Sequence, residues 1–299
     1  MDQKKTVLAL GFFDGLHLGH GALLRTAKAR AAELDAEAAI LTFDIHPDTF
    51  VKKTPVELLC SPEDRRYIAK RFYDIDKLFY VHFNSETMRL PWQEFLENVT
   101  EKYHAAHIVV GHDFSCGHMG AGTADKLQVW CRSHGIGCDV IAPVIRDGIV
   151  VSSTYIRELI RAGDMERAAA FLGHPHLLTD TVRTGFRIGR TMDFPTVNMQ
   201  LAEGVLEPRR GVYASRAVLP DGSVRSAVTN IGMRPTFQGD RVTVETHILD
   251  FSADLYGQRV CVELCRFLRD EQKFGSAEEL SAQIRTDAAA ARAFFAGNM

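Results

Sequence analysis

The sequence predicts two domains of different fold class, a parallel α/β domain followed by an antiparallel β domain with a terminal helix. Apolar segments of strand length alternate with helical patterns throughout the first half. This alternation stops near Gly173-His174-Pro175, and no further helical pattern follows until the C-terminus. A chain of 299 residues is long enough for two domains. We therefore predict domains at residues 1–176 and 177–299.

The first domain is predicted to contain strands joined by helices. An Ala-rich helix follows the first strand, and Ser61-Pro62 carries the cap and first-turn proline of another helix. A further short helix begins at Asp164 and is closed by Gly173. The predicted strands cover residues 7–11, 38–43, 78–83 and 108–110. Such alternation produces a parallel sheet with helices on both faces.

The second domain is predicted to be an antiparallel sheet or a small barrel. Residues 211–218 alternate apolar and polar side chains and end at Pro220-Asp221-Gly222, which indicates a hairpin turn. Residues 242–249 and 259–267 are further strand candidates, and a helix from about Ala277 to Phe295 closes the chain.

The composition is that of an ordinary globular protein, with 46% hydrophobic and 24% charged residues. A net charge of −3 argues against a broad nucleic-acid surface, and no apolar run is long enough for a membrane span. The six cysteines form no C-x-x-C pair, which favours reduced thiols over a structural zinc site. We expect a cytoplasmic monomer or weak homo-oligomer that acts on small molecules, without nucleic-acid or membrane partners.

A histidine pair, His17-Leu18-Gly19-His20, lies in the turn between the first strand and the first helix. Ligands of parallel sheets bind beyond the carboxyl ends of the strands, and a helix start there favours phosphate. Residues three apart in a first turn face the same way, so His17 and His20 are candidates to hold phosphate oxygens, with Asp14 positioning them or a magnesium ion. A single such histidine is more often an ordinary polar turn residue.

A serine/threonine run opens a later helix, and its members Ser152, Ser153, Thr154 and Arg157 are candidates to bind the β and γ phosphates. Taken alone, this run is no more than a helix cap. Two stretches at strand ends, residues 42–47 and 111–117 with Asp113, are also placed for ligand binding. Histidines, a serine/threonine run and an arginine around one such site suggest nucleotide chemistry. Because the chain also has no Walker A motif, transfer of a nucleotidyl group is the predicted reaction.

The second domain carries its own candidate phosphate site. Gly189 and Arg190 belong to a stretch in which glycines flank basic residues, a composition suited to phosphates. Thr196 and Asn198 project from one side of a strand and offer oxygen atoms to Mg²⁺ and ATP. Glu245 is a candidate base for a hydroxyl that attacks a γ-phosphate, although a glutamate in such a strand, taken alone, is more often a solvent-facing acid.

Taken in order, these motifs resemble those of the bifunctional bacterial riboflavin kinase/FAD synthetase family. The first half resembles the FMN adenylyltransferase module in residues 11–20, 42–47, 111–117 and 152–157. The second half resembles the riboflavin kinase module in residues 189–190, 194–198, 230–237, 245–251, 254–257 and 269–274. Each motif is weak by itself, whereas the ordered set is specific.

The resemblance implies a nucleotidyltransferase-type doubly wound α/β sandwich, followed by a six-stranded antiparallel β-barrel with a terminal helix. It implies phosphorylation of riboflavin to FMN and adenylylation of FMN to FAD, with ATP as co-substrate and Mg²⁺ as cofactor. Glu245 is then the kinase base and Thr196 the metal-side residue, while His17, His20 and Arg157 act in adenylyl transfer. The nucleotide-binding residues implied are Gly11, Phe13, Asp14, Asp113, Ser152, Ser153, Thr154, Gly189, Arg190, Thr196 and Asn198.

Several positions depart from the family pattern. Phe12 replaces a common asparagine, Asp44-Ile45 replaces Glu-Pro, and Ser115-Cys116 replaces a basic/aromatic pair. In the second half, Asp193 replaces a glycine and Val197 replaces an alanine. Nucleotidyl transfer to another phosphorylated acceptor, a single remaining activity and a flavin-binding regulator without catalysis are the alternatives. Because the catalytic residue types are all present, we expect both activities.

Overall fold

The computed structural model describes residues 4–183, 194–236 and 239–297, without the side chains of residues 234–236 and 239–241. The chain divides into two compact units, one formed by residues 1–58 and 65–153, the other by residues 59–64 and 154–299. The division differs from the domain boundary near residue 176 that the sequence pattern predicts, and that boundary stays a prediction. None of the described helices is long and apolar enough to cross a membrane.

The first unit is built on a parallel sheet. Its strands are β1 (Thr6–Leu10), β2 (Glu37–Phe43), β3 (Lys77–Val81), β4 (Ala105–Gly111), the short β5 (Ser115–Cys116) and β6 (Gly122–Thr123), β7 (Gly137–Ile141), and the short β8 (Ile145–Arg146) and β9 (Ile149–Val150). Five of them form the sheet in the order β3-β2-β1-β4-β7, and all neighbours are parallel. The predicted parallel α/β class is confirmed.

Helices follow most strands of the first half. They are α1 (Leu18–Glu33), α2 (Pro47–Lys52), α3 (Pro62–Tyr73), α4 (Ser85–Arg89), α5 (Trp92–Lys102) and α6 (Ala124–Ser133). Strand β1 is buried along its whole length, as expected for a central strand covered on both faces. Strand β7 was not predicted, because each of its residues is only half-buried and no continuous apolar run marks it.

Helices α7 (Ser153–Ala162) and α8 (Met165–Leu172) precede the second sheet, and apart from Ser153 they belong to the second unit. The predicted cap of α8 is confirmed: the Asp164 side chain accepts a hydrogen bond from the Arg167 backbone N–H, and Gly173 closes the helix with φ of 84°. The sheet strands are β10 (His176–Thr181), β11 (Thr196–Gln200), β12 (Gly211–Val218), β13 (Val224–Thr236), β14 (Gly239–Ile248) and β15 (Arg259–Arg269), followed by α9 (Ala277–Ala296).

The six strands form one antiparallel sheet in the order β10-β15-β12-β13-β14-β11. A β-bridge between Arg183 and Asn198 joins the chain just beyond β10 to β11, so the two outer strands approach each other as in a barrel. The turn at residues 220–222 connects β12 and β13, and Gly222 has the positive φ of 82° that this tight hairpin requires. The predicted six-stranded antiparallel domain with a terminal helix is confirmed.

Candidate functional site

The first unit contains a cavity of about 410 Å³ at the carboxyl edge of the parallel sheet, which we call the first cavity. Strand order runs outward from β1 in both directions, so the order reverses between β1 and β4. A parallel sheet opens a crevice at such a reversal, because the loops after the two strands leave toward opposite faces. Gly11 after β1, Gly111 at the end of β4 and Ile141 at the end of β7 all line the cavity.

The histidine pair lies at this edge because a tight turn follows β1. Phe13 and Leu16 both have positive φ values, 57° and 42°, which is uncommon for such residues and marks a strained turn. The turn ends at His17, which caps α1: its Nδ1 accepts a hydrogen bond from the His20 backbone N–H at 3.3 Å. This bond leaves the proton of a neutral His17 on Nε2.

The rings of His17 and His20 stack with centroids 3.7 Å apart, and both residues line the first cavity. Gly19 makes this geometry possible, because a Cβ atom there would lie 3.1 Å from the His17 ring. The spacing of the His-x-Gly-His motif therefore has a steric cause: the glycine leaves room for the first ring.

His20 is held in its neutral form. Burial lowers its pKa well below the usual value, and the nearby His17 and Arg65 lower it further. Its Nδ1 atom is buried and has no hydrogen-bond partner among the described residues. A neutral His20 stacked on His17 is suited to hydrogen bonding with phosphate oxygens rather than to ion pairing with a neighbouring carboxylate.

The predicted residues of the first domain fall into three groups. The residues that line the first cavity are Gly11, His17, His20, Asp113, Ser152 and Ser153. Phe13 and Asp14 are buried beside it: the Phe13 ring lies 5.1 Å from that of His20, and the Asp14 carbonyl oxygen accepts a hydrogen bond from Ser153 Oγ at 3.1 Å. Thr154 and Arg157 belong to the second unit and are not among the described residues lining this cavity.

The second unit contains a cavity of about 380 Å³ over one face of the antiparallel sheet, which we call the second cavity. One row of paired residues crosses five strands beneath it: Asn198, Glu245, Asn230, Val212 and Arg269 are successive partners in the strand register. Paired residues point to the same side of a sheet. The register therefore assembles polar side chains from distant parts of the sequence on one face.

Glu245 is partly buried and lines the second cavity, so it is not the solvent-facing strand acid of the simpler interpretation. Thr196 also lines the cavity and lies two residues from Asn198 on β11. The side-chain amide of Asn198 donates a hydrogen bond to the Thr196 hydroxyl at 3.4 Å. Hydroxyl, amide and carboxylate oxygens are the donors that Mg²⁺ prefers. No group of three or more His, Cys, Asp or Glu in the described part of the chain is arranged to hold a metal. This donor set fits an ion bound mainly through substrate phosphates.

Helix α9 closes the second cavity, and its contribution was not predicted. Leu280 and Ile284, two apolar residues of α9, line the cavity together with Asp287. Asp287 is buried, and its carboxylate accepts bidentate hydrogen bonds from the Arg269 guanidinium, at 2.9 Å from Nε and 2.8 Å from Nη2. The only sign of this role in the sequence was an acid, Asp287, among the apolar residues of the same helix face. Gly189 and Arg190, the remaining predicted residues, lie outside the described residues.

Comparison with known proteins agrees with one candidate site in each half of the chain. The family model for FAD synthetase matches residues 1–155, and the family model for riboflavin kinase matches residues 172–295. Both modules are thus present in the order that the motifs predict.

Relatives match over nearly the whole chain. Bifunctional riboflavin kinase/FMN adenylyltransferases from Listeria monocytogenes and Bacillus subtilis are 35% and 33% identical, covering 97% and 98% of this chain and 92% and 94% of theirs. The Escherichia coli K12 protein of the same name is 33% identical over 98% of this chain and 94% of its own. A Streptococcus pneumoniae crystal structure, described as a macrolide-efflux protein, has a TM-score of 0.81 at 29% identity and covers 98% and 95% of the two chains. The chain belongs to the bifunctional riboflavin kinase/FAD synthetase family.

Proposed function

We propose that this chain phosphorylates riboflavin to FMN in the second cavity and adenylylates FMN to FAD in the first. The observation that carries the proposal is that each unit has its own cavity, lined by the motif residues of the matching family module. The substrates are riboflavin, FMN and ATP. A cytoplasmic location, a monomeric or weakly associating state and the lack of nucleic-acid partners stay predictions.

In the first cavity, a phosphate oxygen of FMN attacks the α-phosphorus of ATP. The new P–O bond forms as the bond from the α-phosphorus to the bridging oxygen breaks, and pyrophosphate leaves with the electron pair. Catalysis of such a transfer consists mainly of positioning and of stabilising charge on the phosphate oxygens. His17, with its proton on Nε2, and the neutral His20 are placed to donate hydrogen bonds to these oxygens. Ser153, the first residue of α7, lines the same cavity and adds its backbone N–H group.

In the second cavity, Glu245 accepts the proton of the riboflavin 5′-hydroxyl while the oxygen attacks the γ-phosphorus of ATP, and ADP leaves. Thr196 and Asn198 would hold phosphate oxygens and Mg²⁺ at the neighbouring strand, where Asn198 is the register partner of Glu245. When bound, Mg²⁺ neutralises the charge of the transferred phosphoryl group. The apolar residues of α9 that cover the cavity provide a surface for a flat aromatic ring.

Selective loss of each activity tests the assignment of the two sites. The purified chain is incubated with riboflavin, ATP and Mg²⁺, and the flavins are separated by chromatography over time; FMN should appear before FAD. Glu245→Gln should abolish FMN formation but leave FAD synthesis from added FMN. His20→Ala should have the opposite effect. Glu278→Gln, which changes an exposed acid of α9, is the matched control and should leave both rates unchanged.

Two outcomes would reject the proposal. Loss of both activities in a folded Glu245→Gln variant would contradict the two-site assignment. If the unaltered chain binds flavin but does not convert it, the result would instead support the alternative of a flavin-binding regulator without catalysis.

A further inference from the structure

Arg65 is a completely buried arginine in helix α3, with 0% of its surface exposed. One guanidinium nitrogen, Nη1, donates to Thr42 Oγ1 at 3.0 Å and to the Phe43 carbonyl oxygen at 3.3 Å. The other two, Nε and Nη2, have no hydrogen-bond partner among the described residues. The guanidinium is therefore buried without a hydrogen-bonded carboxylate in the described part of the chain.

Such an arrangement is unfavourable for folding alone. An arginine does not lose its charge at physiological pH, so it cannot relieve the desolvation by deprotonating. Buried charges in proteins are normally paired, and a charge without a partner is strongly destabilising. A buried cation that stays unpaired in the free chain is expected to interact favourably with an anionic ligand nearby.

The contacts of Arg65 lead to one residue of the first cavity. Its guanidinium lies over the Phe12 ring, 4.4 Å from the centroid. Thr42, which accepts the bond from Arg65, donates in turn to the Phe12 carbonyl oxygen at 2.8 Å. Arg65 thus holds Phe12 by its ring and, through Thr42, by its backbone. Phe12 lines the first cavity together with His17 and His20.

The charge of Arg65 also reaches the histidine pair, since it is one of the groups that lower the pKa of His20. Phe12 is one of the positions at which the chain departs from the family pattern. An asparagine there would offer no ring face to the guanidinium. The departure and the buried cation are therefore parts of one local arrangement in this chain.

We propose that Arg65 is a positioning residue of the first cavity: it holds Phe12 in the cavity wall, and its unpaired charge favours the polyphosphate group of the nucleotide. The inference rests on the proposed location of adenylyl transfer in this cavity. Arg65 acts from behind the ring of Phe12, without contacting the substrate. Its ligand chemistry is a pyrophosphate-bearing group, supplied either by ATP or by free pyrophosphate.

The experiment measures KM values in both directions of the adenylyl transfer, using the full chain. The forward reaction, with saturating FMN, gives the KM for ATP. The reverse reaction, in which FAD and pyrophosphate yield FMN and ATP, gives the KM for pyrophosphate without involving the kinase site. Arg65→Met and Arg65→Gln should each raise both KM values about tenfold or more, the effect of removing one poorly screened charge, with a smaller change in kcat.

Arg65→Lys keeps the charge and should raise the two KM values by no more than about threefold. Arg66→Met is the matched control: it removes the same charge from the next position of the same helix, where the side chain is exposed, and should change neither KM. Riboflavin kinase activity, measured separately, should be unchanged in all variants. If Arg65→Met does not fold, Arg65→Gln, which retains a hydrogen-bond donor toward Thr42, supplies the neutral variant.

Three results would overturn the inference: unchanged KM values in both neutral variants, a fall in kcat at constant KM, or a lysine variant as impaired as the glutamine variant. The first two would leave Arg65 as a structural residue only, and the third would show that charge is not the cause. His20→Ala separates this failure from that of the proposed function. If His20→Ala retains full FAD synthesis, the location of adenylyl transfer is wrong; if it does not, only the role of Arg65 fails.

Discussion

The ion pair between Arg269 and Asp287 should stabilise the second unit only as long as both partners are present. The Asp287 side chain is 6% exposed and that of Arg269 is 18% exposed, so water screens the pair little. Arg269→Met removes the donors at 2.8 and 2.9 Å and leaves the carboxylate with Gln283 Nε2 as a side-chain donor at 2.9 Å. Loss of one member of a buried pair costs about 3–5 kcal/mol in free energy of unfolding.

The double variant Arg269→Met/Asp287→Leu leaves no unpaired charge, and we expect it to be within about 2 kcal/mol of the unaltered chain. The control is Arg292→Met on the same helix. It breaks the exposed pair with Asp250, whose side chains are 50% and 80% exposed, and should cost less than about 1 kcal/mol.

Urea unfolding gives these free energies, and the sequence helps to separate the two units. Both tryptophans, Trp92 and Trp130, lie in the first unit, so their fluorescence reports that unit. The shift caused by Arg269→Met should appear in circular dichroism but not in tryptophan fluorescence. A double variant destabilised by at least as much as Arg269→Met would refute the reasoning, because the cost would then come from lost packing rather than from a stranded charge.

Two further predictions concern single residues. Gly19→Ala should reduce kcat for FAD synthesis by about tenfold or more without affecting the kinase, since the new Cβ would press against the His17 ring and disturb its position. Steady-state rates with added FMN measure this effect. An unchanged kcat would show that the position of the His17 ring is not critical. Burial, with a smaller contribution from His174, lowers the pKa of His176 to about 4, below its usual value of 6.5. The unfolded chain therefore binds a proton between pH 6.5 and 4 that the folded chain does not, so stability should fall by about 3 kcal/mol as the pH decreases through that window and be unaffected above it. Unfolding curves of His176→Leu at pH 7 and pH 4 should lack this contribution, and an equal pH dependence in variant and parent would contradict it.

The fold could be predicted from the sequence where the signals are local. The hairpin at residues 220–222, the cap of α8 and strand β12 follow from turn chemistry, capping and alternation within a few residues. Strand β10 was missed because its residues lie in the stretch assigned to the domain boundary. What makes it a strand is its pairing with β15, 78 to 88 residues away in sequence, and such pairing leaves little local signal.

The residues of the candidate sites also differ in whether a local sequence signal identifies them. His17, His20, Thr196 and Glu245 belong to short motifs whose spacing already indicates phosphate chemistry, and each lines a cavity. Asp287 was missed because nothing near it in sequence explains a buried acid on an apolar helix face. Its partner comes from β15, so only the tertiary structure shows that the carboxylate is paired.

Arg65 illustrates the converse case, in which a residue is important because a partner is lacking. In sequence it is one of two adjacent arginines in α3, directly after Glu63 and Asp64. The structure separates them: Arg66 is exposed, whereas Arg65 is buried behind Phe12, and two of its nitrogens have no hydrogen-bond partner in the part of the chain that the structure describes. An unpaired buried cation reduces stability without a ligand, and in an enzyme that binds polyphosphates this cost is offset when substrate arrives. The position of such a residue is therefore better understood from the ligand than from the folded chain alone.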